Sequence, residues 1–307
     1  MPQGLISRPI SPRQWIMGSG SPLEAKIACP DGDWTKYLPT AEYQYRILKN
    51  GELFDSWACT NFSSLNCLEI YEKYLGRTVE YSDRFSAKAS GTVHKVGNYL
   101  DQSAYSIVVD GFIDENKWQF DAYNYYATLP NDIKEQAKAN SNKWNWQWVE
   151  RSQWEEAIKY APIQIAVNGK HNYHLENNSE KIYNHAVTLV KYSQTGKQVI
   201  FDHYAPTIKE LANDYNFMPF GIQYLPINQK TMQVENNVLY ALVESVGGFA
   251  LGLDGRLIVD DLAKILAVWS IRNNGDTKGK VKSLKLADWN SVDHIDLKGH
   301  SISTVTK

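Results

Sequence analysis

Three side chains have the types, and the order along the chain, that nucleophilic catalysis requires. Cys59 stands at the first position of a predicted helix, where the helix dipole and unpaired backbone N–H groups favour a thiolate and lower the pKa. His185 begins a predicted strand, and Asp202 follows the next strand. If these strands form a hairpin, Asp202 could accept a hydrogen bond from one imidazole nitrogen and leave the other for Cys59.

The remaining cysteines and two of the histidines have weaker claims to chemistry. Cys67 lies two helical turns after Cys59 on the same inner face, which is typical of a structural core residue. Cys29 lies in a proline-rich stretch. His171 and His174 have the i, i+3 spacing of a metal pair, but no cysteine or carboxylate stands at ligand spacing. No metal and no cofactor are expected.

Hydrophobic periodicity indicates the elements that must position the site. An apolar helical face runs from Cys59 until Gly76 ends it, and a second helix is expected over 100–109. A short strand is expected at 118–120, and the S-x-x-E pattern at Ser152 predicts a helix that ends before a proline. Four further segments have strand composition: 163–167, 186–192, 198–201 and 220–225. Helices first and strands later predict an α+β domain with an antiparallel sheet.

The chain divides into three regions. Six prolines interrupt residues 1–40, which are expected to form an irregular arm laid over the domain. Residues 41–228 hold the α+β core. Residues 229–307 are predicted to form a small C-terminal α+β domain of unknown role, with helices at 234–246 and 260–269 on either side of a hairpin turned on Asp254-Gly255.

Composition limits the function classes. The chain has 307 residues, 43% hydrophobic and 21% charged, and its net charge of −2 gives no reason to expect nucleic acid as a partner. No apolar run approaches the roughly 20 residues of a membrane helix, and the first ten residues lack the apolar core of a signal peptide. Three cysteines are too few for a secreted disulfide framework. We therefore expect a soluble protein of a reducing compartment such as the cytoplasm.

The tryptophan-rich string NSNKWNWQW at 140–148 has two interpretations. Exposed aromatic rings among asparagines would suit a sugar-binding surface. Alternatively, the rings form core and rim, as most tryptophans do.

Taken in order, these motifs resemble the papain family of cysteine peptidases. The resemblance covers about residues 40 to 205 and implies a papain-like fold, in which a central helix carries Cys59 and an antiparallel sheet carries His185. It implies a cysteine peptidase or related amide hydrolase that acts on peptides or proteins. The matching residues are Cys59 with Phe62 three positions later, Pro162 before a strand, His185-Ala186-Val187, and Asp202 followed by Tyr204.

The sequence departs from the papain pattern at three positions. The family places an oxyanion-binding glutamine six residues before the nucleophile, where this chain has Leu53. Gln44 is the candidate substitute if 47–54 loops out, and losing one such donor costs on the order of 100- to 1,000-fold in rate. Thr60 replaces the usual tryptophan, and Asp202 replaces an asparagine, although Asp is a competent orienting group.

The strings DWTKYLPTAEYQ, FDSWACTNFSSLNCLE and IFDHYAPTIKELANDYNF resemble papain-like proteins predicted from bacteriophage genomes and bacterial metagenomes. This resemblance implies a phage virion or the cytoplasm of an infected cell, with other phage structural proteins as partners. Three hypotheses stay open. The chain is an active peptidase, a structural or binding protein of a phage particle that has lost catalysis, or a hydrolase of peptidoglycan stem peptides.

Overall fold

The computed structural model describes residues 4–6, 8, 27–193 and 196–227, together with the strand backbones between 238 and 303. The chain forms two compact units, Met1–Pro226 and Ile227–Lys307. The helices of the first unit are α1 (Cys59–Tyr74), α2 (Asp83–Ala89), α3 (Leu100–Val109), α4 (Asn131–Lys138) and α5 (Trp154–Ala157). Its strands are β1 (Tyr45–Ile47), β2 (Leu53–Asp55), β3 (Trp144–Glu150), β4 (Ile163–Val167), β5 (His185–Lys191), β6 (Val199–Phe201), β7 (Ile208–Glu210) and β8 (Phe220–Pro226).

A six-stranded antiparallel sheet forms one half of this unit. Its strand order is β3-β8-β4-β5-β6-β7, and every pairing is antiparallel. The four strands expected in the second half of the chain are confirmed as β4, β5, β6 and β8. The hairpin expected between the His185 strand and the Asp202 strand is also present, since Thr188 pairs with Phe201.

Helix α1 is central to the unit and packs against β5. It is buried around nearly its whole circumference, so polar groups on it require partners inside the protein. Gln164 of β4 donates from Nε2 to the Thr60 carbonyl at 2.6 Å and to Ser63 Oγ at 2.8 Å. Thr188 of β5 donates to the Ser63 carbonyl at 2.9 Å. These bonds fix the first turn of the helix on the sheet.

Three predictions for the first unit need comment. Residues 118–120 are not a strand, because the chain makes a 3-10 turn at Glu115–Lys117 and continues irregularly. Ser152 caps no helix, since Arg151–Gln153 is itself a 3-10 turn and α5 is a single turn long. The NSNKWNWQW string contributes the edge strand β3, with Trp144 and Trp148 buried in the core. That burial favours the core interpretation of these rings.

In the second unit the described residues are strands. The helix predicted over 234–246 is wrong at Val238–Leu242, which is a strand (β9) paired antiparallel with Val268–Arg272 (β12). A short apolar run fits a strand as well as a helix. The remaining strands are β10 (Ala250–Leu251), β11 (Leu257–Ile258), β13 (Val281–Leu284), β14 (His294–Leu297) and β15 (His300–Ser303).

Two further features of the second unit bear on the predictions. Strands β10 and β11 pair antiparallel, as expected of the hairpin, although Asp254-Gly255 lies outside the described residues. The helix expected at 260–269 also lies outside them, except for its last two residues, which begin β12. Within the part of the chain that the structure describes, no helix has the length and apolarity needed to cross a bilayer.

Candidate active site

Cys59 is the first residue of α1, as the sequence predicts, and it is fully buried. Its sulfur faces two backbone N–H groups, those of Thr60 and of Ala186. Ala186 directly follows His185 in β5, so the sulfur lies beside the strand that begins with the histidine. Trp57, two residues before Cys59, has a φ of 56°, a left-handed conformation that is uncommon for a bulky residue. This bend turns the chain into α1.

The environment of the Cys59 thiol opposes ionisation. Burial raises the pKa of Cys59 above its ordinary value, and the nearby carboxylates of Asp55 and Asp202 act in the same direction. The N–H groups of Ala186 and Thr60 lower it, but by less. The expectation that the helix start lowers this pKa is therefore wrong, because desolvation outweighs the backbone N–H groups that face the sulfur.

His185 and Asp202 form a buried hydrogen-bonded pair. His185 Nε2 lies 2.9 Å from Asp202 Oδ1, and both side chains are at most 1% exposed. Burial would raise the pKa of Asp202, but His185, His203 and Lys209 together lower it well below its usual range. An ionised carboxylate only accepts hydrogen bonds, so Nε2 carries the proton. His185 Nδ1 is then an acceptor, and it has no hydrogen-bond partner among the described residues.

The second oxygen of Asp202 is held by two residues that the sequence interpretation missed. Lys209 Nζ lies 2.5 Å from Asp202 Oδ2, and the Tyr173 hydroxyl donates to the same oxygen at 2.7 Å. Lys209 also donates to the Tyr204 carbonyl at 2.7 Å. Neither residue stands in a recognisable motif. The one available signal was the position of Lys209 in a strand next to the one that Asp202 follows.

One grouping of potential metal ligands exists among the described residues, and it overlaps this site. Donor atoms of His185, Asp202 and His203 lie within 4.8 Å of one another. However, both Asp202 oxygens already accept hydrogen bonds, and the Lys209 ammonium bound to that carboxylate opposes a second cation. Burial lowers the pKa of His203 to about 3, so its ring is neutral. Hydrogen bonding therefore explains the grouping without an ion.

The segment between Gln44 and Ser56 forms a hairpin. Strands β1 and β2 pair antiparallel, and the Ser56 N–H donates to the Gln44 carbonyl at 2.9 Å. This hairpin carries Leu53 outward, where it is 61% exposed. It leaves Gln44 fully buried opposite Ser56, which precedes Cys59 by three residues. Gln44 Nε2 donates to Asp55 Oδ1 at 2.8 Å and to the Tyr204 hydroxyl at 2.6 Å. The Gln44 side chain is thus hydrogen-bonded to residues beside the site.

A short N-terminal segment, residues 4–6, lies against the backbone that precedes His185 and the backbone that precedes Cys59. The Leu5 N–H donates to the carbonyl of Asn184, which directly precedes His185, at 3.2 Å. Leu5 bridges Asn98 in parallel, through bonds of 2.8 Å from the Ile6 N–H and 2.7 Å to the Gly4 carbonyl. Leu5 belongs to the same buried apolar cluster as Cys59 and Ala186. Leu5 is therefore part of the apolar packing in which the thiol is buried.

The other two cysteines lie away from these contacts, whereas His171 and His174 border the site. Cys67 is buried in the core beside Thr188, as its predicted structural role requires. Cys29 is buried and donates to Asp31, and burial raises its pKa to about 11. His171 and His174 lie in the loop around the 3-10 turn Tyr173–Leu175, next to a cleft of about 40 Å³ that His185 and Lys209 also line.

Comparison with known proteins gave matches among solved structures only. No protein family matches the sequence, and no curated protein matches it. Xylellain, a cysteine protease from Xylella fastidiosa, matches with a TM-score of 0.54 and 13% identity over 72% of this chain and 95% of that protein. The bromelain protease from Ananas comosus matches with a TM-score of 0.45 and 14% identity, over 63% of this chain and 96% of that one.

These likenesses concern the fold. A papain-like α+β fold is what the central helix α1 and the antiparallel sheet predict, and the xylellain structure, with its TM-score of 0.54, shares the fold of this chain. The chain therefore has a papain-like fold. At 13% identity the comparison with xylellain says nothing about the roles of individual residues.

Proposed function

We propose that this chain is a papain-like cysteine peptidase or related amide hydrolase, with Cys59 as nucleophile, His185 as base and Asp202 as orienting group. One observation carries the proposal. Asp202 fixes His185 through Nε2 and leaves Nδ1 without a hydrogen-bond partner among the described residues, beside the strand residue whose N–H faces the Cys59 sulfur. A base that is oriented at one nitrogen and available at the other is what activation of a thiol requires.

The chemistry follows from those positions. His185 Nδ1 takes the Cys59 proton as the sulfur attacks a substrate carbonyl carbon, and the carbonyl oxygen becomes an oxyanion. Collapse of the tetrahedral intermediate breaks the C–N bond, and His185 returns the proton to the leaving amine. Water, deprotonated by His185, then hydrolyses the thioester and regenerates the Cys59 thiol.

For the oxyanion we propose two donors, the backbone N–H of Cys59 and Nε2 of Gln44. Gln44 is fully buried beside the turn into α1, which supports this role. To donate to an oxyanion, its amide must leave Asp55 or Tyr204, its present acceptors. Such donors stabilise the charge that develops in the transition state.

The burial of Cys59 favours a second candidate function. A thiol with no exposed surface and a raised pKa suits a papain-like structural or binding protein that has lost catalysis. The N–H groups directed at the sulfur and the oriented His185 weigh against this candidate, because a purely structural cysteine needs neither. The two candidates differ in whether the thiol becomes reactive when the N-terminal segment moves.

Alkylation with iodoacetamide, resolved by mass spectrometry for each cysteine, tests the proposal. Cys29 and Cys67 are equally buried and serve as internal controls. We expect Cys59 to react at least about tenfold faster than Cys67, and His185→Ala to abolish this difference because the thiolate loses its proton acceptor. Equal rates at Cys59 and Cys67 in the native protein would refute an activated nucleophile.

The substrate and setting are proposals from sequence resemblance. A peptide or protein substrate follows from the proposed amide chemistry, and peptidoglycan stem peptides are an alternative of the same bond type. A phage virion or an infected cell's cytoplasm, with phage structural proteins as partners, is the proposed setting. Loss of turbidity of host cell walls, compared with cleavage of casein, separates the two substrate classes.

A further inference from the structure

We propose that Lys209 is a positioning residue. It pairs with Asp202 into a unit without net charge, and this unit orients His185 as an uncharged amide side chain would. This inference rests on the proposed function of Cys59 and His185. It assigns a role to a lysine that no motif singles out.

The contacts of Lys209 define the unit. Its Nζ lies 2.5 Å from Asp202 Oδ2, while His185 Nε2 lies 2.9 Å from Oδ1 of the same carboxylate. The Lys209 side chain is 4% exposed and that of Asp202 is fully buried. A second bond from Nζ to the Tyr204 carbonyl and the Tyr173 hydroxyl on Oδ2 fix the geometry. The ammonium and the imidazole thus occupy opposite oxygens of one carboxylate.

The charge of Asp202 is a difficulty for a cysteine nucleophile. A buried carboxylate beside His185 stabilises the imidazolium, and the charge of Asp202 also raises the pKa of Cys59. A base that holds its proton too strongly releases it slowly to the leaving amine. The Lys209 ammonium cancels the net charge of the carboxylate while leaving its hydrogen bond to His185 intact. The pair then orients the ring without biasing its protonation.

The surroundings leave Lys209 as the compensating charge. The titratable groups around the His185 and Asp202 pair are Cys59, Asp55, Tyr173, His174, His203, Tyr204 and Lys209. Burial lowers the pKa of His203 to about 3 and that of His174 below its ordinary value, so neither ring supplies a positive charge at neutral pH. Burial lowers the pKa of Lys209, and the ionised Asp202 opposes that shift. Lys209 Nζ, which lies 2.5 Å from Asp202 Oδ2, is the remaining basic group in contact with this carboxylate.

A double-mutant cycle on Lys209 and Asp202 tests the proposal. Lys209→Met, Asp202→Asn and the double variant are compared with the unaltered chain by the NMR titration midpoint of the His185 ring and by the pH profile of Cys59 alkylation. We expect Lys209→Met to move the midpoint up by about one to two pH units, since an unbalanced carboxylate favours imidazolium. Asp202→Asn moves it down, because the ammonium remains alone. The double variant returns close to the unaltered chain.

Two controls separate charge from packing. Lys209→Arg keeps the positive charge, so the midpoint should stay closer to that of the unaltered chain than in Lys209→Met. Lys191→Met breaks another lysine–aspartate pair, with Asp33, away from the site, and should not move it. If Lys209→Met does not fold, Asp202→Asn and the double variant still test the proposal. The proposal requires the His185 midpoints of these two variants to differ by about one pH unit.

The outcomes also separate this proposal from the proposed function. A midpoint unchanged by Lys209→Met, or a double variant that behaves like Asp202→Asn, overturns the role of Lys209. If the His185 midpoints follow the expected cycle but Cys59 alkylates no faster than Cys67, the charge compensation stands and the activated nucleophile fails.

Discussion

Removing the N-terminal residues 1–8 should expose the Cys59 thiol. In the intact chain, three backbone hydrogen bonds and a pairing of Arg8 with Asp101 hold the segment, and Leu5 is 8% exposed. Each hydrogen bond contributes about 1 kcal/mol, the partly exposed ion pair about 0.5, and burial of the leucine about 1.5. Ordering the four residues that make these contacts costs about 3 to 4 kcal/mol, at the low end of the usual backbone entropy. The segment is therefore held by a net of about 1 to 2 kcal/mol.

That net stabilisation predicts how much faster Cys59 should be alkylated after truncation. If Cys59 reacts only when the segment has left, truncation should raise its alkylation rate by roughly 5- to 30-fold, since each 1.4 kcal/mol is a factor of about ten. The rate at Cys67 should not change. Site-resolved alkylation followed over time measures both thiols in one sample.

A point variant gives the same test without truncation. A Cβ on Gly4 would lie 2.1 Å from the Trp57 carbonyl oxygen, so Gly4→Ala should displace the segment and also accelerate Cys59 alkylation. Gly76→Ala is the matched control, because its φ is also left-handed but its added Cβ meets no atom within 4 Å. If truncation and Gly4→Ala leave the Cys59 rate unchanged, or raise the Cys67 rate equally, the segment does not cover the thiol.

Three other perturbations have definite expected outcomes. Asp55→Asn removes a charge that raises the pKa of Cys59, so the pH midpoint of Cys59 alkylation should fall, and an unchanged midpoint would contradict the assignment. Gln44→Ala should lower turnover on the order of 100-fold without slowing Cys59 alkylation, whereas Leu53→Ala, at an exposed position, should change neither. Burial raises the pKa of Glu42 to about 8 from its ordinary 4.5, so the folded state binds the extra proton. The free energy of unfolding should therefore fall as pH rises from 4.5 to about 8. Glu42→Gln should flatten that fall in urea denaturation, and an unaltered slope would refute the link. The carboxyl groups that interact with Glu42 are Glu69, Glu80, Asp83 and Glu115.

The sequence predicts the core of the site because its residues stand at element boundaries. Cys59 begins α1, His185 begins β5, and Asp202 follows β6, as their local apolar patterns indicate. The hairpin pairing then brings the last two together. Lys209 and Tyr173 could not be found this way, because the sequence predicts neither the strand β7 that carries Lys209 nor the 3-10 turn that carries Tyr173.

Errors in the fold prediction have a common cause. The capping pattern at Ser152 and the apolar run at 234–246 satisfy local rules for helices, but the tertiary environment makes a 3-10 turn of one and a strand within the other. In β3 the alternate tryptophans among polar residues have the period of a strand. Trp144 and Trp148 are buried on one face of this strand, and Val149 is buried on the other. Local propensity is weak evidence for a helix or strand where burial in the folded protein favours the other element.

Hydrolysis measured on the full chain and on the chain without residues 1–8 tests the central claim most directly. Casein and purified cell-wall peptidoglycan are the substrates, and Cys59→Ala is the matched inactive control. The proposal predicts cleavage of at least one substrate by the full chain, faster cleavage after truncation, and none by Cys59→Ala. Cleavage that survives Cys59→Ala, or no cleavage of either substrate even after truncation, would contradict it.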